Sequence, residues 1–211
     1  MGEASCISRR QLDTLARLRL LEHADDLYLV GGTAAAYHLG HRVSRDIDLF
    51  SLREIDLEEV RRDLLSHLPE AEVVAAGKVT LQVRVGETPV DFVAYPHAPL
   101  EDPEGGPAGF RVASLIDLAT MKLAAIAKRG IKRDFWDLYE IMRRSEMTLR
   151  AALDAYSARF GTSESGAYYV IRSLTFFEDA ESDTTAPAGM TKELWSDIKR
   201  FFTERAPSVI G

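Results

Sequence analysis

The sequence predicts an α+β fold. An N-terminal lobe holds a mixed sheet with flanking helices, and a helical C-terminal lobe follows. Three observations predict this. Short strand-like runs alternate with helical patterns as far as residue 95. The stretch "PHAPLEDPEGGPAG", residues 96–109, then breaks the pattern with proline and glycine. From residue 114 onward the periodic segments are all helical. The lobes are expected at residues 1–100 and 110–211, without internal repeats.

The elements follow in order. Residues 8–22 place Leu12, Leu15, Ala16 and Leu18 at helical spacing. "LYLV" (27–30) is a short apolar strand, broken by Gly31 and Gly32, and Thr33 to Leu39 can then form a helix that Thr33 caps. "DIDLFS" (46–51) alternates polar and apolar, so it is a strand, and "DLEEVRRDLLSHL" (56–68) is a helix. "EVVAA" (72–76), "KVTLQVRV" (78–85) and "PVDFVAY" (89–95) are strand-like, with Gly77 and "GETP" as turns. In the second lobe, Ser114 with Asp117 three residues on is a capping box for helix 114–128. Further helices are expected near 133–145, 148–159, 164–177 and 190–203, with "DAESDTTAPAG" as a mobile connection.

Composition narrows the function classes. Apolar residues make up 46% and charged residues 28%, which is ordinary globular chemistry. No apolar run reaches the length of a membrane span, and the first residues lack the apolar core of a signal peptide. Cys6 is the only cysteine, which excludes an internal disulfide; together these read as a cytoplasmic protein. A net charge of −7 argues against broad DNA binding. The charge is uneven, though. Residues 122–133 carry Lys122, Lys128, Arg129, Lys132 and Arg133 with no acid, whereas "EDAESD" (178–183) is strongly acidic. A local basic rim on an acidic protein suits a phosphate-bearing ligand better than a long nucleic-acid track.

The chemistry-bearing pattern is "LVGGTAAAYHLGHRVSRDIDLFS", residues 29–51. Residues two apart on a strand share a face, so Asp46 and Asp48 project together while Ile47 and Leu49 face the core. Two ionised carboxylates side by side repel, and a cation relieves that. Mg²⁺ suits the task, because it uses few protein carboxylates and keeps positions for phosphate oxygens. Asp91 interrupts an otherwise apolar strand. If that strand lies beside 46–51, Asp91 completes a three-carboxylate cluster able to bind metal and activate an attacking hydroxyl. The plainer reading is a solvated strand end with an edge-strand charge. Gly31 and Gly32 allow close approach of backbone to phosphate at a helix N-terminus, and Thr33 can add a bond to a phosphate oxygen. The spacing is neither that of a P-loop nor that of a dinucleotide fingerprint.

A lysine falls on an unexpected face. Around helix 114–128, Leu115, Leu118, Ala119, Leu123 and Ile126 form the apolar side, and Lys122 falls among them; Asp117, Met121, Ala124 and Lys128 share the other side. In "RDFWDLYEIM", Asp134 shares a face with Leu138 and Ile141, with Asp137 at its border. Lys122 therefore ties two helices by pairing with an aspartate, or meets triphosphate oxygens with Asp134 or Asp137 orienting it, or does both. Trp136 shares a side with Glu140 and Arg143 and is expected to be exposed, stacking on a base or packing on another part of the chain. His38, His41 and Tyr37 read as structural.

Taken together, "GGT", "DID" and Asp91 resemble the nucleotidyltransferase superfamily that includes DNA polymerase beta. More narrowly, "LVGGTAAAYHLGHRVSRDIDLF" followed by "MKLAAIAKRGIKRDFWDLYEIM" resembles the AbiEii/AbiGii toxin family over roughly residues 27 to 145. The resemblance implies a nucleotidyltransferase-fold N-terminal lobe. It implies an Mg²⁺-dependent (or Mn²⁺-dependent) enzyme that moves NMP from an NTP to an acceptor hydroxyl, with an RNA or tRNA 3′ end favoured. It further implies the toxin half of a type IV toxin–antitoxin or abortive-infection system, with an antitoxin repressor encoded nearby. Carried over by position, Asp46 and Asp48 bind metal and Asp91 shares in that cluster and orients the acceptor. Gly31, Gly32 and Thr33 hold the triphosphate. Lys122 meets the phosphates with Arg129 nearby, and Asp134 and Asp137 support the lysine or meet base and ribose. Two rivals remain: a non-catalytic nucleotide- or partner-binding module, and a transferase for small molecules such as antibiotics.

Overall fold

Ser8 opens the first helix, α1 (Arg9–Leu18). Its hydroxyl accepts from the Gln11 amide while the Gln11 side chain accepts from the Ser8 amide, a reciprocal cap. Leu15 and Leu18 go into the core, and the helix is shorter than its hydrophobic pattern suggests because a turn and a 3₁₀ segment, Ala24–Asp26, lead into the first strand. The computed structural model describes residues 6–209, and the chain divides after Ser114. Residues 1–5, part of the stretch read as lacking a leader, lie outside the described residues. Cys6 is described and buried.

The first unit is a mixed sheet with helices. Its strands are β1 (Leu27–Val30), β2 (Ile47–Ser51), β3 (Glu72–Ala76), β4 (Thr80–Val85), β5 (Thr88–Val93), β6 (Glu104–Gly105) and β7 (Arg111–Val112). They lie in the order β3-β4-β5-β2-β1-β7-β6. All of β1 is buried, which explains its unbroken apolar sequence. In β2 and β5 burial alternates, with Ile47, Leu49, Val90 and Phe92 fully buried. Edge strand β3 is exposed throughout. Helices α2 (Gly31–Leu39) and α3 (Leu57–His67) follow β1 and β2.

The proline-rich segment, expected to separate the lobes, touches the sheet at one short strand. Glu104–Gly105 pair with Arg111–Val112, which in turn run parallel to β1. The division at residue 114 therefore falls later than the expected boundary.

Among the described residues the second unit is helical: α4 (Leu115–Arg129), α5 (Lys132–Arg144), α6 (Leu149–Phe160), α7 (Glu164–Ser173), α8 (Glu178–Ser182) and α9 (Lys192–Arg205). Its core includes Phe135, whose ring meets those of Phe177, Trp195 and Phe202 at centroid distances of 5.4, 5.7 and 5.7 Å. Asp117 departs from expectation. It is fully buried and receives Arg159 Nη1 at 2.6 Å, so it anchors α6 to α4 as well as lying in the helix's first turn. Trp136 also departs from expectation: it is buried, with Gly189 close to its ring. The covering segment has no periodicity to announce it, and its first part forms α8 instead of a plain connection. No helix among the described residues is long and apolar enough to cross a membrane.

Candidate active site

Strand pairing builds the carboxylate row. β2 and β5 run parallel with Asp48 directly beside Asp91, and β4 pairs antiparallel to β5 with Gln82 beside Asp91. Neighbouring strands stand about 4.8 Å apart, so the three side chains form one short line across the sheet. Asp46 sits just ahead of β2 and is half-buried, as are Asp48 and Asp91, while the intervening Ile47 is buried. Gln82 Nε2 donates to both Asp91 oxygens, at 3.1 and 3.3 Å. Gln82 was not singled out in the sequence. Its signal was the outward position in the alternating "TLQVRV".

The glycine turn meets this row. Gly31 has φ +68°, and a Cβ there would overlap the Asp48 carboxylate, standing 2.8 Å from its carbon. Two independent reasons thus require glycine: the left-handed backbone and the carboxylate seated against it. Helix α2 starts at Gly31, with Val30 as its N-cap and no side-chain capping bond. The first-turn amides have no partner inside the helix, and a negative charge is favoured there. Gly31→Ala should cost at least about 2 kcal/mol, from the positive φ and the overlap together. Thermal unfolding checks this. The loss should shrink when Asp48→Ala is combined with it, because only the overlap is then relieved.

Thr33 does a different job from the one expected. It lies inside α2, fully buried, and its hydroxyl donates to the Asp46 carbonyl while accepting from Gln11 Nε2 at 3.3 Å. It fixes the backbone of the first carboxylate from behind. Arg42 and Ser44 instead press on the turn. A Cβ on Gly32 would lie 2.7 Å from Arg42 Nη2 and 2.9 Å from Ser44 Oγ. Both side chains are buried, whereas Val43 and Arg45 are exposed. The period-two spacing of the D-x-D therefore continues backward through Ser44 to Arg42, a signal that was present in the sequence. His38 Nε2 bonds the Ala113 carbonyl at 2.8 Å, in keeping with a structural role.

The row fits a hard divalent cation. Carboxylate oxygens are the right donors, and Mg²⁺ takes only one or two of them alongside phosphate oxygens. Among the described residues no group of three or more His, Cys, Asp or Glu side chains is placed to hold a metal ion by itself. A cation at this open row would need further ligands from substrate.

Within the second unit, Lys122 lies where its helical angle puts it, 6% exposed, with Nζ 2.6 Å from Asp137 and 3.1 Å from Asp134. Arg129 adds a two-pronged contact to Asp134 at 2.8 and 3.1 Å, and its side chain is half-exposed. The four charges cancel. Burial pushes the Asp134 carboxyl up, but the Lys122 charge and the Arg129 hydrogen bond outweigh it and hold the group below its ordinary value. An unfolded aspartate titrates near about 3.9. The unfolded chain therefore takes up this proton first on acidification. Asp134 contributes stability that is fully present above that value and is lost as pH falls through the folded one. Asp134→Asn should be less stable at neutral pH and should lose less stability between about pH 5 and pH 3 than the parent, as read by urea unfolding.

The comparisons with known proteins decide the family. A model described as "Nucleotidyl transferase AbiEii toxin, Type IV TA system" matches residues 13–87 and 67–208. The chain belongs to this family. As an AbiEii family member it is a nucleotidyltransferase. An uncharacterised protein of Aquifex aeolicus is 29% identical over 202 residues, which cover 94% of this chain and 95% of the relative. Among solved structures, the MenT4 nucleotidyltransferase toxin of Mycobacterium tuberculosis gives a TM-score of 0.55 at 17% identity, covering 93% of this chain and 82% of that one. JHP933 from Helicobacter pylori gives 0.55 at 17%, covering 96% and 94%. At these identities the structural likeness speaks for the fold, and the fold is the expected α+β one.

Proposed function

We propose that this AbiEii family member transfers NMP from an NTP to an acceptor hydroxyl on RNA, with a tRNA 3′ end favoured, and acts as the toxin of a toxin–antitoxin pair. The observation that carries the reading is the register of Asp48 beside Asp91 with the Gly31 turn packed on the Asp48 carboxylate. Asp46, Asp48 and Asp91 would hold Mg²⁺ or Mn²⁺, which supplies charge neutralisation at the phosphates. Gly31 and Gly32 let the triphosphate approach the backbone at the start of α2. Asp91 orients the acceptor hydroxyl and takes its proton. The hydroxyl oxygen forms a bond to the α-phosphorus as the bond from that phosphorus to the β-phosphate oxygen breaks, and pyrophosphate leaves. Lys122 and Arg129 would meet phosphate oxygens, and Asp134 and Asp137 would orient them or reach base and ribose.

The test uses each α-labelled NTP with Mg²⁺ and total cell extract, followed by separation of RNA from protein. Label in RNA, concentrated in the tRNA band, supports the reading. Label in protein or in a small molecule replaces the acceptor. No label with any NTP, in a preparation that binds NTP, makes the chain a binding module. Co-purification with the product of a neighbouring reading frame would support the toxin–antitoxin pairing.

A further inference from the structure

The basic run of residues 122–133 is only partly used by the reading above. Lys122 and Arg129 pair with Asp134, and Lys132 lies over the Trp195 ring at 5.9 Å. Lys128, in the last turn of α4, is exposed and stands outside these contacts. A second feature of the same unit is equally unused. The exposed aromatic side chains among the described residues are Tyr168, Tyr169 and Phe176, at 48, 61 and 49% exposure, and all lie on α7 or just after it. A single exposed apolar residue needs no explanation, but a group of this kind marks a contact surface.

Tyr169 ties the two features together. Its hydroxyl donates to the carbonyl of Ala127, the residue before Lys128, at 3.2 Å. Ala127 carries one of the last four carbonyls of α4, which no amide of the helix can reach. The hydroxyl thus caps α4 while the ring stays in solvent. Capping accounts for the hydroxyl, but not for the exposed ring or for its neighbour at Tyr168. On α7, Val170 and Ile171 are buried, and Tyr168, Tyr169 and Arg172 share the exposed face, with Arg172 one turn beyond both rings. Arg172 is the only charged residue between Ser165 and Ser173, and the last turn of α4 carries Lys128 and Arg129 without an acid. The acidic segment borders α4 just past its end, where Asp179 lies near Gly130.

We propose that this face of α7, with the end of α4, binds single-stranded RNA, its bases stacking on Tyr168 and Tyr169 and its phosphates meeting Arg172 and Lys128. The inference rests on the reading that the acceptor is RNA, and it gives that strand a place of attachment other than the carboxylate row. A single strand offers base faces that a duplex hides, and stacking on tyrosine accepts any base. Tyrosine has few torsions to immobilise, and the hydroxyl bond already restrains Tyr169. A protein partner could also cover the rings, but the cations beside them complement a polyanion.

The experiment follows, by fluorescence anisotropy, binding of a labelled oligouridylate and of a duplex RNA of equal length to the full chain, with no NTP present. The variants are Tyr168→Leu, Tyr169→Leu, Tyr169→Phe, Lys128→Met and Arg172→Met, each with its melting temperature. Tyr168→Leu and Tyr169→Leu should each weaken single-strand binding by roughly tenfold and leave duplex binding close to the parent's. Tyr169→Phe loses the cap and keeps the ring, so its melting temperature should fall slightly while its RNA affinity holds. A Tyr169 that served only as a cap would make Phe and Leu alike. Lys128→Met and Arg172→Met should weaken both RNAs, and each should lower the single-strand salt slope by roughly 0.7. If Tyr169→Leu fails to fold, Tyr168→Leu decides. Parent-like single-strand affinity in the folded leucine variants overturns the proposal, and it does so alone if labelled NTP still marks RNA. Loss of a co-purifying protein from those variants, with RNA affinity unchanged, overturns it in favour of a protein partner. A parent that labels RNA without binding the oligouridylate also overturns the platform alone. A parent that neither labels nor binds RNA sinks the acceptor reading, and the platform with it.

Discussion

Asp48→Asn should reduce NMP transfer by at least about 10³-fold, since on the proposed function it removes a charge that would hold metal and phosphates, and several kcal/mol of transition-state stabilisation go with it. The melting temperature should hold or rise. Asp48 and Asp91 are register neighbours, and neutralising one ends their mutual repulsion. Asp48→Ala should behave alike, because the carboxylate it deletes is the group seated on Gly31. Single-turnover transfer with labelled NTP and calorimetric unfolding together make the check. Retained transfer would remove Asp48 from the chemistry. Lost transfer with a large drop in melting temperature would make it a structural residue.

The second large effect is expected at Lys122. Lys122→Met leaves Asp134 and Asp137, both fully buried, with less compensation, and breaking a buried pair in this way costs about 3–5 kcal/mol. The half-exposed Arg129 still serves Asp134. Adding Asp137→Asn should restore part of the stability, and adding Asp134→Asn as well should restore more. Urea unfolding of the series measures this. Transfer activity then separates two roles. If Lys122 only ties α4 to α5, activity should return with stability. If it also meets phosphates, the restabilised triple variant should remain slow.

Several of these residues are legible in the sequence for physical reasons. Asp46, Asp48 and Asp91 interrupt apolar alternation, and a period of two assigns a face without knowledge of the partner strand. Lys122 was marked by helical angle in the same way. What escaped notice depended on groups distant in sequence. Thr33 looked like a cap with a free hydroxyl because nothing local says that the Asp46 carbonyl and Gln11 will close on it. Trp136 looked exposed because its cover is an aperiodic segment near Gly189. Gln82 became visible as an Asp91 partner only once β4 and β5 were in register. The short strand β6 inside the proline-rich stretch was not legible, because proline density marks a break in helices but does not forbid short edge strands.

The parallel pairing of β2 with β5 has a consequence for when the carboxylate row comes into being. Asp48 and Asp91 are more than forty residues apart, and the chain must travel through α3, β3 and β4 before they meet. Such non-local closure forms late and slowly compared with a helix or a hairpin. A chain that has emerged only as far as the glycine turn and the D-x-D holds half of the carboxylate row. On the proposed reading, transfer waits until the fifth strand has docked, and a binder that holds β2 and β5 apart would keep the nascent chain inactive.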